Sequence, residues 1–267
     1  MRQILLNLGN GEIYIEEIPI PKIKSQHILI KSNISLISSG TERMLLEFGK
    51  SNIYEKVKSQ PTKVKEVFEK IKTDGIYTTF DAVTNKLDTP IPLGYCNVGI
   101  VEEVGENVTE FSKGDRVISN GYHATYNVVS KNLCAKIPST VSDEDAVFTI
   151  LASIALQGIR LLDPKLGETI LVSGLGLIGL LAVQILKANG CNVLAIDPSK
   201  QRCDLAKKYD INTFQLSNNE ECISWTKNQS QGLGVDGVLI TASTDSNSPI
   251  DLAPKICRKR ARIILVG

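Results

Sequence analysis

Histidine is scarce in these 267 residues: only His27 and His123 occur, and the six cysteines (96, 134, 191, 203, 222 and 257) stand far apart with no C-x-x-C pair. That pattern argues against a disulfide framework and reads as a reduced chain with ordinary thiols, expected in the cytoplasm. A predominance of one charge is missing too. Lys+Arg 30 against Asp+Glu 29 leave a formal net charge of +1, so no global field draws the chain to nucleic acid or to an anionic membrane. The N-terminus carries one basic residue and an apolar stretch too short for a signal peptide, and no internal repeat or low-complexity tract is visible. His27 opens a predicted strand and His123 lies in the turn N-G-Y-H-A-T; with no partner beside them in sequence, both read as ordinary residues.

One long hydrophobic run is present. Residues 170–186, ILVSGLGLIGLLAVQIL, carry no charge over 17 positions, at the lower end for a spanning helix, where about 20 residues are usual. Gly174, Gly176 and Gly179 give it G-x-G-x-x-G spacing, and its surroundings complete a pattern. It continues the strand-like ETILVS, opens a helix, and is followed by a second strand, NVLAID, ending in Asp197, 18 residues beyond Gly179. This is the dinucleotide-binding fingerprint. Gly174 permits the tight turn, Gly176 lets backbone amides approach a pyrophosphate, and Gly179 lets helix and strand pack closely. The helix N-terminus, through Leu175, Leu177 and Ile178, offers N–H groups and partial positive charge to phosphate. Asp197 is expected to accept hydrogen bonds from the adenosine ribose and so to favour NAD over NADP, with Lys200 and Arg202 just beyond it softening that preference. The run therefore reads as a strand plus a buried helix, and no membrane association is expected.

The organisation changes near Ser142. From Ile4 to Pro138 the chain reads mostly as short strands, among them HILIKSNISLI (27–37), GIVEEVG (99–105), DRVISN (115–120) and TYNVVS (125–130). One helix interrupts them, PTKVKEVFEKIKTDG (61–75), with Val64, Val67, Phe68 and Ile71 at helical spacing. From SDEDAVFTILASIALQGIRLL onward, helix and strand alternate, and five strand candidates joined by helices predict a parallel, doubly wound sheet. The fold class is α/β, with a β-rich domain over 1–141 and a nucleotide-binding domain over 142–267.

A β-rich half leading into such a nucleotide domain resembles the medium-chain dehydrogenase/reductase superfamily, which includes the zinc alcohol dehydrogenases. The specific stretches are LGYCNVGIVEEVGENVTEFSKGDRV (93–117), the glycine fingerprint, and VDGVLITAS with RKRARIILVG. SLISSGTERMLLEFGK with LGYCNVG and ALQGIR is more narrowly similar to the first unit of two-module oxidoreductases that carry a glucose–fructose-oxidoreductase-like module downstream. The resemblance implies a GroES-like domain and a Rossmann domain forming the walls of a cleft, with hydride transfer between them. It also implies cofactor contacts from Thr241, Ala242 and Gly267, the last at a fifth strand where the chain stops. A sheet lacking its last strand, a chain truncated at its C-terminus and self-association through the exposed apolar strand are the matching expectations.

Departures from that pattern carry information. Zinc members place a cysteine in a C-G-x-D-like motif, whereas this chain has Ser39-Gly40-Thr41-Glu42; they carry G-H-E, whereas here Gly94-Tyr95-Cys96 stands; and the later ligand position falls near Ser153. Serine and tyrosine are poor zinc ligands, so neither a catalytic nor a structural zinc is expected. Tyr95, Ser39 and Glu42 remain as catalytic candidates by position, with Tyr95 the best suited to polarise or protonate a substrate oxygen. The leading reading is a zinc-independent, NAD(P)-dependent oxidoreductase unit acting on a small alcohol or carbonyl, including sugar derivatives. The alternatives are a dinucleotide-binding structural or regulatory module, or a truncated remnant, without turnover, and a quinone- or enoyl-type reductase.

Overall fold

The computed structural model describes residues 1–52, 55, 56, 58, 87–244 and 246–266. The helix expected over 61–75 and the cofactor candidate Gly267 lie outside these residues. The chain divides into two compact units, Met1–Ile150 and Leu151–Gly267.

The first unit is built from antiparallel strands. β1 (Arg2–Leu6), β2 (Ile13–Glu17), β3 (His27–Ser35), β4 (Ile91–Pro92), β5 (Asn97–Val104), β6 (Arg116–Ser119), β7 (Tyr126–Ser130) and β8 (Cys134–Lys136) form two sheets, ordered β2-β1-β4 and β7-β3-β5-β6-β8. Alternation in β3 sends Ile28 and Ile30 inward, both 0% exposed, where they meet Val101, Val117 and Val129. A helix absent from the strand-dominated sequence reading, α1 (Ser39–Lys50), follows β3. Its signals are caps rather than a clean apolar stripe: Ser38 occupies the N-cap, Glu42 lies in the first turn and Lys50 in the last.

The helical stretch expected from residue 142 is two helices, α2 (Asp143–Ala146) and α3 (Thr149–Leu162). Ser142 caps the first by accepting from the Asp145 N–H at 3.0 Å, and the Thr149 hydroxyl ends it by donating to the Ala146 carbonyl at 2.7 Å. Ala146 and Val147 pack with Val98 and Ile118 in the first unit's core.

The second unit alternates strand and helix: β9 (Thr169–Ser173), α4 (Leu177–Ala188), β10 (Asn192–Asp197), α5 (Lys200–Lys207), β11 (Asn212–Gln215), α6 (Asn219–Gln229), β12 (Val235–Ile240), α7 (Ser248–Ile256) and β13 (Cys257–Leu265). The sheet order is β11-β10-β9-β12-β13 with every pair parallel, the doubly wound arrangement expected. Its strands are apolar because both faces are covered. Val172 and Leu239 pack with Ile159 and Leu186 on one face, and Leu171 and Val238 with Leu252 and Ile256 on the other. The hydrophobic run thus resolves into β9, the glycine turn and α4. Among the described residues, no helix is long and apolar enough to cross a membrane.

β13 begins earlier than the sequence suggested, taking in Cys257–Lys259, which read as the end of a helix. Ion pairing explains it. The register jumps from Val235↔Cys257 to Gly237↔Arg262, a bulge that includes Arg260 at φ 66°. The bulge lets Arg258 Nε reach Asp236 Oδ1 at 2.5 Å while Arg262 bonds Glu168. Asp236 Oδ2 also accepts the Thr169 N–H at 2.7 Å. Burial pushes the Asp236 carboxyl up, but the Thr169 N–H and the guanidiniums of Arg258 and Arg262 outweigh it and hold the group below its ordinary value. A carboxyl depressed in the folded state stabilises above its unfolded pKa and loses that contribution as pH falls through the folded one. Asp236→Asn should therefore destabilise the chain by about 2 kcal/mol at neutral pH and flatten the acid limb of stability. Denaturant unfolding followed by circular dichroism across the acid range checks both; a parallel shift of the variant at every pH would contradict the assignment.

Candidate functional site

The glycine loop joins β9 to α4. Gly174 has φ +102°, and a Cβ there would come 2.7 Å from the Ala242 nitrogen. A Cβ at Gly179 would collide with the Gly174 carbonyl oxygen, the same atom that accepts the Thr241 hydroxyl at 2.7 Å. Gly176 differs from both. It is the N-cap of α4, with no side-chain cap bond, and a Cβ on it would meet nothing within 4 Å. The turn is thus closed by packing at Gly174 and Gly179 and open at Gly176, where the first N–H groups of α4, from Leu177 and Ile178, lack intrahelical partners. That open, electropositive helix start fits a pyrophosphate. Thr241 and Ala242, proposed from resemblance, pack against this loop, whereas Leu175 is fully buried and, contrary to the expectation from sequence, gives its N–H to the Asp197 carboxylate rather than offering it to a phosphate.

Asp197, at the end of β10, is 2% exposed. Its Oδ2 accepts the Leu175 N–H and its Oδ1 the Ser199 N–H, each at 2.7 Å, and Arg202 approaches Oδ2 at 3.5 Å. Oδ2 is shared between the Leu175 N–H and Arg202, whereas Oδ1, bonded to the Ser199 N–H, retains a second lone pair, so ribose contact would be added to an existing role in holding the loop. Lys200 is exposed at the first position of α5.

The catalytic candidates belong to the first unit, where the start of α1, the 93–95 segment and the loop before β7 meet. The Tyr95 hydroxyl donates to Ser38 Oγ at 2.6 Å and lies 3.3 Å from Thr41 Oγ1. Ser38 is buried, and its side chain makes no cap bond to α1 because it is turned to the tyrosine. Glu42 reaches back to the N-cap instead: Oε1 accepts the Ser38 N–H at 2.8 Å, while the Ser38 carbonyl accepts the Glu42 N–H. Its other oxygen, Oε2, is 3.0 Å from His123 Nε2, and His123 Nδ1 is 2.8 Å from Ser35 Oγ. Two of the three candidates, Tyr95 and Glu42, therefore share one network. Ser39 is exposed at the first position of α1, and the serine bonded to the tyrosine is its neighbour Ser38. His123, which read as ordinary from sequence, is 7% exposed with both ring nitrogens engaged. The capping-box spacing Ser39-Gly40-Thr41-Glu42 points to Ser39 rather than to Ser38, and nothing near His123 in sequence points to Glu42, 81 positions away.

Two positions matching the family's metal ligands sit in this network or at its edge and do not suit zinc. Ser39 offers an exposed hydroxyl, Tyr95 a phenol already bonded to Ser38, and Cys96 is wholly buried. Ser153, at the third such position, lies on α3 and likewise carries no thiol or imidazole. Among the described residues no group of three His, Cys, Asp or Glu side chains could hold a metal.

The family model described as alcohol dehydrogenase GroES-like domain matches residues 66–139, and that described as zinc-binding dehydrogenase matches 178–267. The chain is 27% identical over 240 residues to an alcohol dehydrogenase of Geobacillus stearothermophilus, covering 76% of this chain and 70% of that protein. It is 34% identical over 121 residues to D-guloside 3-dehydrogenase of Escherichia coli (strain K12), covering 44% of this chain and 35% of that one. Among solved structures, galactitol-1-phosphate dehydrogenase from Escherichia coli superposes with a TM-score of 0.76 at 22% identity, over 100% of this chain and 75% of that one. The two models match one after the other, so the chain is similar in its antiparallel and in its parallel part to the GroES-like and zinc-binding dehydrogenase domains of zinc-type alcohol dehydrogenases.

Proposed function

We propose that the chain is a zinc-independent, dinucleotide-dependent oxidoreductase interconverting an alcohol and a carbonyl, with Tyr95 as the group that exchanges the proton. The observation that carries this reading is the bond from the Tyr95 hydroxyl to Ser38 Oγ, which stands in a dehydrogenase fold where the metal ligands are missing. A nicotinamide dinucleotide supplies the hydride acceptor or donor. The glycine loop and the start of α4 bind its pyrophosphate; Asp197 orients its ribose. In the reducing direction, the Tyr95 O–H bond breaks as its proton passes to the substrate oxygen, and the hydroxyls of Ser38 and Thr41 turn to donate to the phenolate left behind. In the oxidising direction the phenolate takes the alcohol proton back. Relatives named for a guloside and for alcohols support a secondary hydroxyl, including one on a sugar derivative, as the substrate class.

The test is turnover of NAD(H) and NADP(H) against a panel of sugar alcohols, glycosides and simple alcohols, with metal content measured on the same preparation. Reduction of NAD in preference to NADP, with well under one zinc per chain, is the expected result. NADP(H) bound as tightly as NAD(H) would remove Asp197 as the selector, and a stoichiometric, chelator-resistant zinc would overturn the metal-free assignment. Dinucleotide binding without turnover on any substrate would instead favour a non-catalytic binding module.

A further inference from the structure

The imidazole of His123 touches both segments that carry the tyrosine–serine pair. Its backbone N–H donates to the Leu93 carbonyl at 2.8 Å, and its carbonyl accepts the Ile4 N–H at 2.9 Å. Its ring lies against Gly94, the residue before Tyr95: Gly94 has φ +88°, and a Cβ there would come 2.7 Å from the ring. On the other side Nε2 meets Glu42, whose second oxygen holds the Ser38 N–H. With Glu42 accepting, Nε2 carries the hydrogen, and Nδ1 pairs with the Ser35 hydroxyl. Only 5% of the His123 side chain and 11% of the Glu42 side chain are exposed, so solvent competes little for this bond.

We propose that His123 and Glu42 form a positioning clamp that sets the distance between Tyr95 and Ser38. Neither touches the phenol. Glu42 fixes Ser38 through its backbone, His123 fixes the backbone leading into Tyr95, and their mutual bond ties the two together. Two positions that match the family's metal ligands, Ser39 and Tyr95, fall on these segments, and this chain joins the segments with a carboxylate–imidazole bond instead. The inference rests on the reading of Tyr95 as the proton-exchanging residue.

Four variants test it: His123→Leu removes the clamp, His123→Gln returns an N–H donor near the Nε2 position, Glu42→Leu removes the other half, and Tyr95→Phe assigns the Tyr95 signal in the NMR spectrum of 13C-tyrosine-labelled protein. The readouts are kcat and KM, dinucleotide affinity, thermal unfolding and the Tyr95 ring-carbon shift. His123→Leu and Glu42→Leu should each lower kcat by about 10²-fold, the scale of a misplacement near 1 Å. Dinucleotide affinity should stay unchanged, and His123→Gln should recover most of kcat. The Tyr95 resonance should move in both leucine variants and return in His123→Gln. Wild-type kcat in a folded His123→Leu protein, a Tyr95 resonance that does not move, or a glutamine variant no better than leucine would each overturn the clamp. If His123→Leu does not fold, Glu42→Leu decides. Absence of turnover in the wild type would defeat the catalytic reading alone, and the Tyr95 resonance would then decide the clamp separately.

Discussion

Tyr95→Phe should lower kcat by about 10²–10⁴-fold, the span general acid–base groups contribute, while dinucleotide affinity stays at the wild-type value. The phenol is half-buried and its hydroxyl makes the 2.6 Å bond to Ser38. Phenylalanine keeps the ring and removes only that oxygen, at a stability cost of about 1 kcal/mol. A fall in kcat far larger than the change in thermal stability would therefore mark lost chemistry. Stopped-flow and steady-state measurements on the preferred substrate check it. A variant turning over at the wild-type rate would show that the proton travels by another route.

The second large effect comes from two glycines with opposite surroundings. A side chain at Gly176 points into open space, so Gly176→Val should fold with little loss and bind dinucleotide at least about 10²-fold more weakly, because the branched side chain occupies the pyrophosphate's approach. Gly179→Ala should do the reverse. Its single carbon collides with the Gly174 carbonyl and displaces the bond that Thr241 makes there, so stability falls first, by about 1–3 kcal/mol for overpacking. Calorimetric titration and thermal unfolding of both variants separate the roles. Equal effects on binding and folding in the two would mean that the loop is a packing turn rather than a ligand cradle.

The contrast between these glycines was legible in the sequence as spacing, because G-x-G-x-x-G between an apolar strand and a helix is a local pattern with a local cause. The five parallel strands were legible for the same reason: apolar runs such as ILV and VLI are read residue by residue. What escaped depended on distant partners. The early start of β13 follows from Arg258 meeting Asp236, and the break between α2 and α3 from one threonine hydroxyl turning to Ala146. The role of Ser38 was hidden beside the family position at Ser39, since a one-residue offset at a helix start decides which hydroxyl faces inward. His123 had no readable signal, because the fold alone brings β1, α1 and the loop before β7 together.

Asp197 has a consequence for how readily this protein could change its cofactor. The same carboxylate that would discriminate against a phosphorylated ribose also fastens the glycine loop through Leu175 and the start of α5 through Ser199. Exchanging it for a small neutral residue, the simplest route to accepting the larger cofactor, would strand both amides in a nearly dry pocket, with a penalty of about 1–3 kcal/mol for each left unsatisfied. With Asp197 as the proposed selector, selectivity and loop integrity would be inherited as one trait. A lineage drifting toward the other dinucleotide, or a designer aiming for it, would first have to install a substitute acceptor for those amides. The alternative is to leave Asp197 in place and rework the rim around Arg202, whose side chain is 57% exposed.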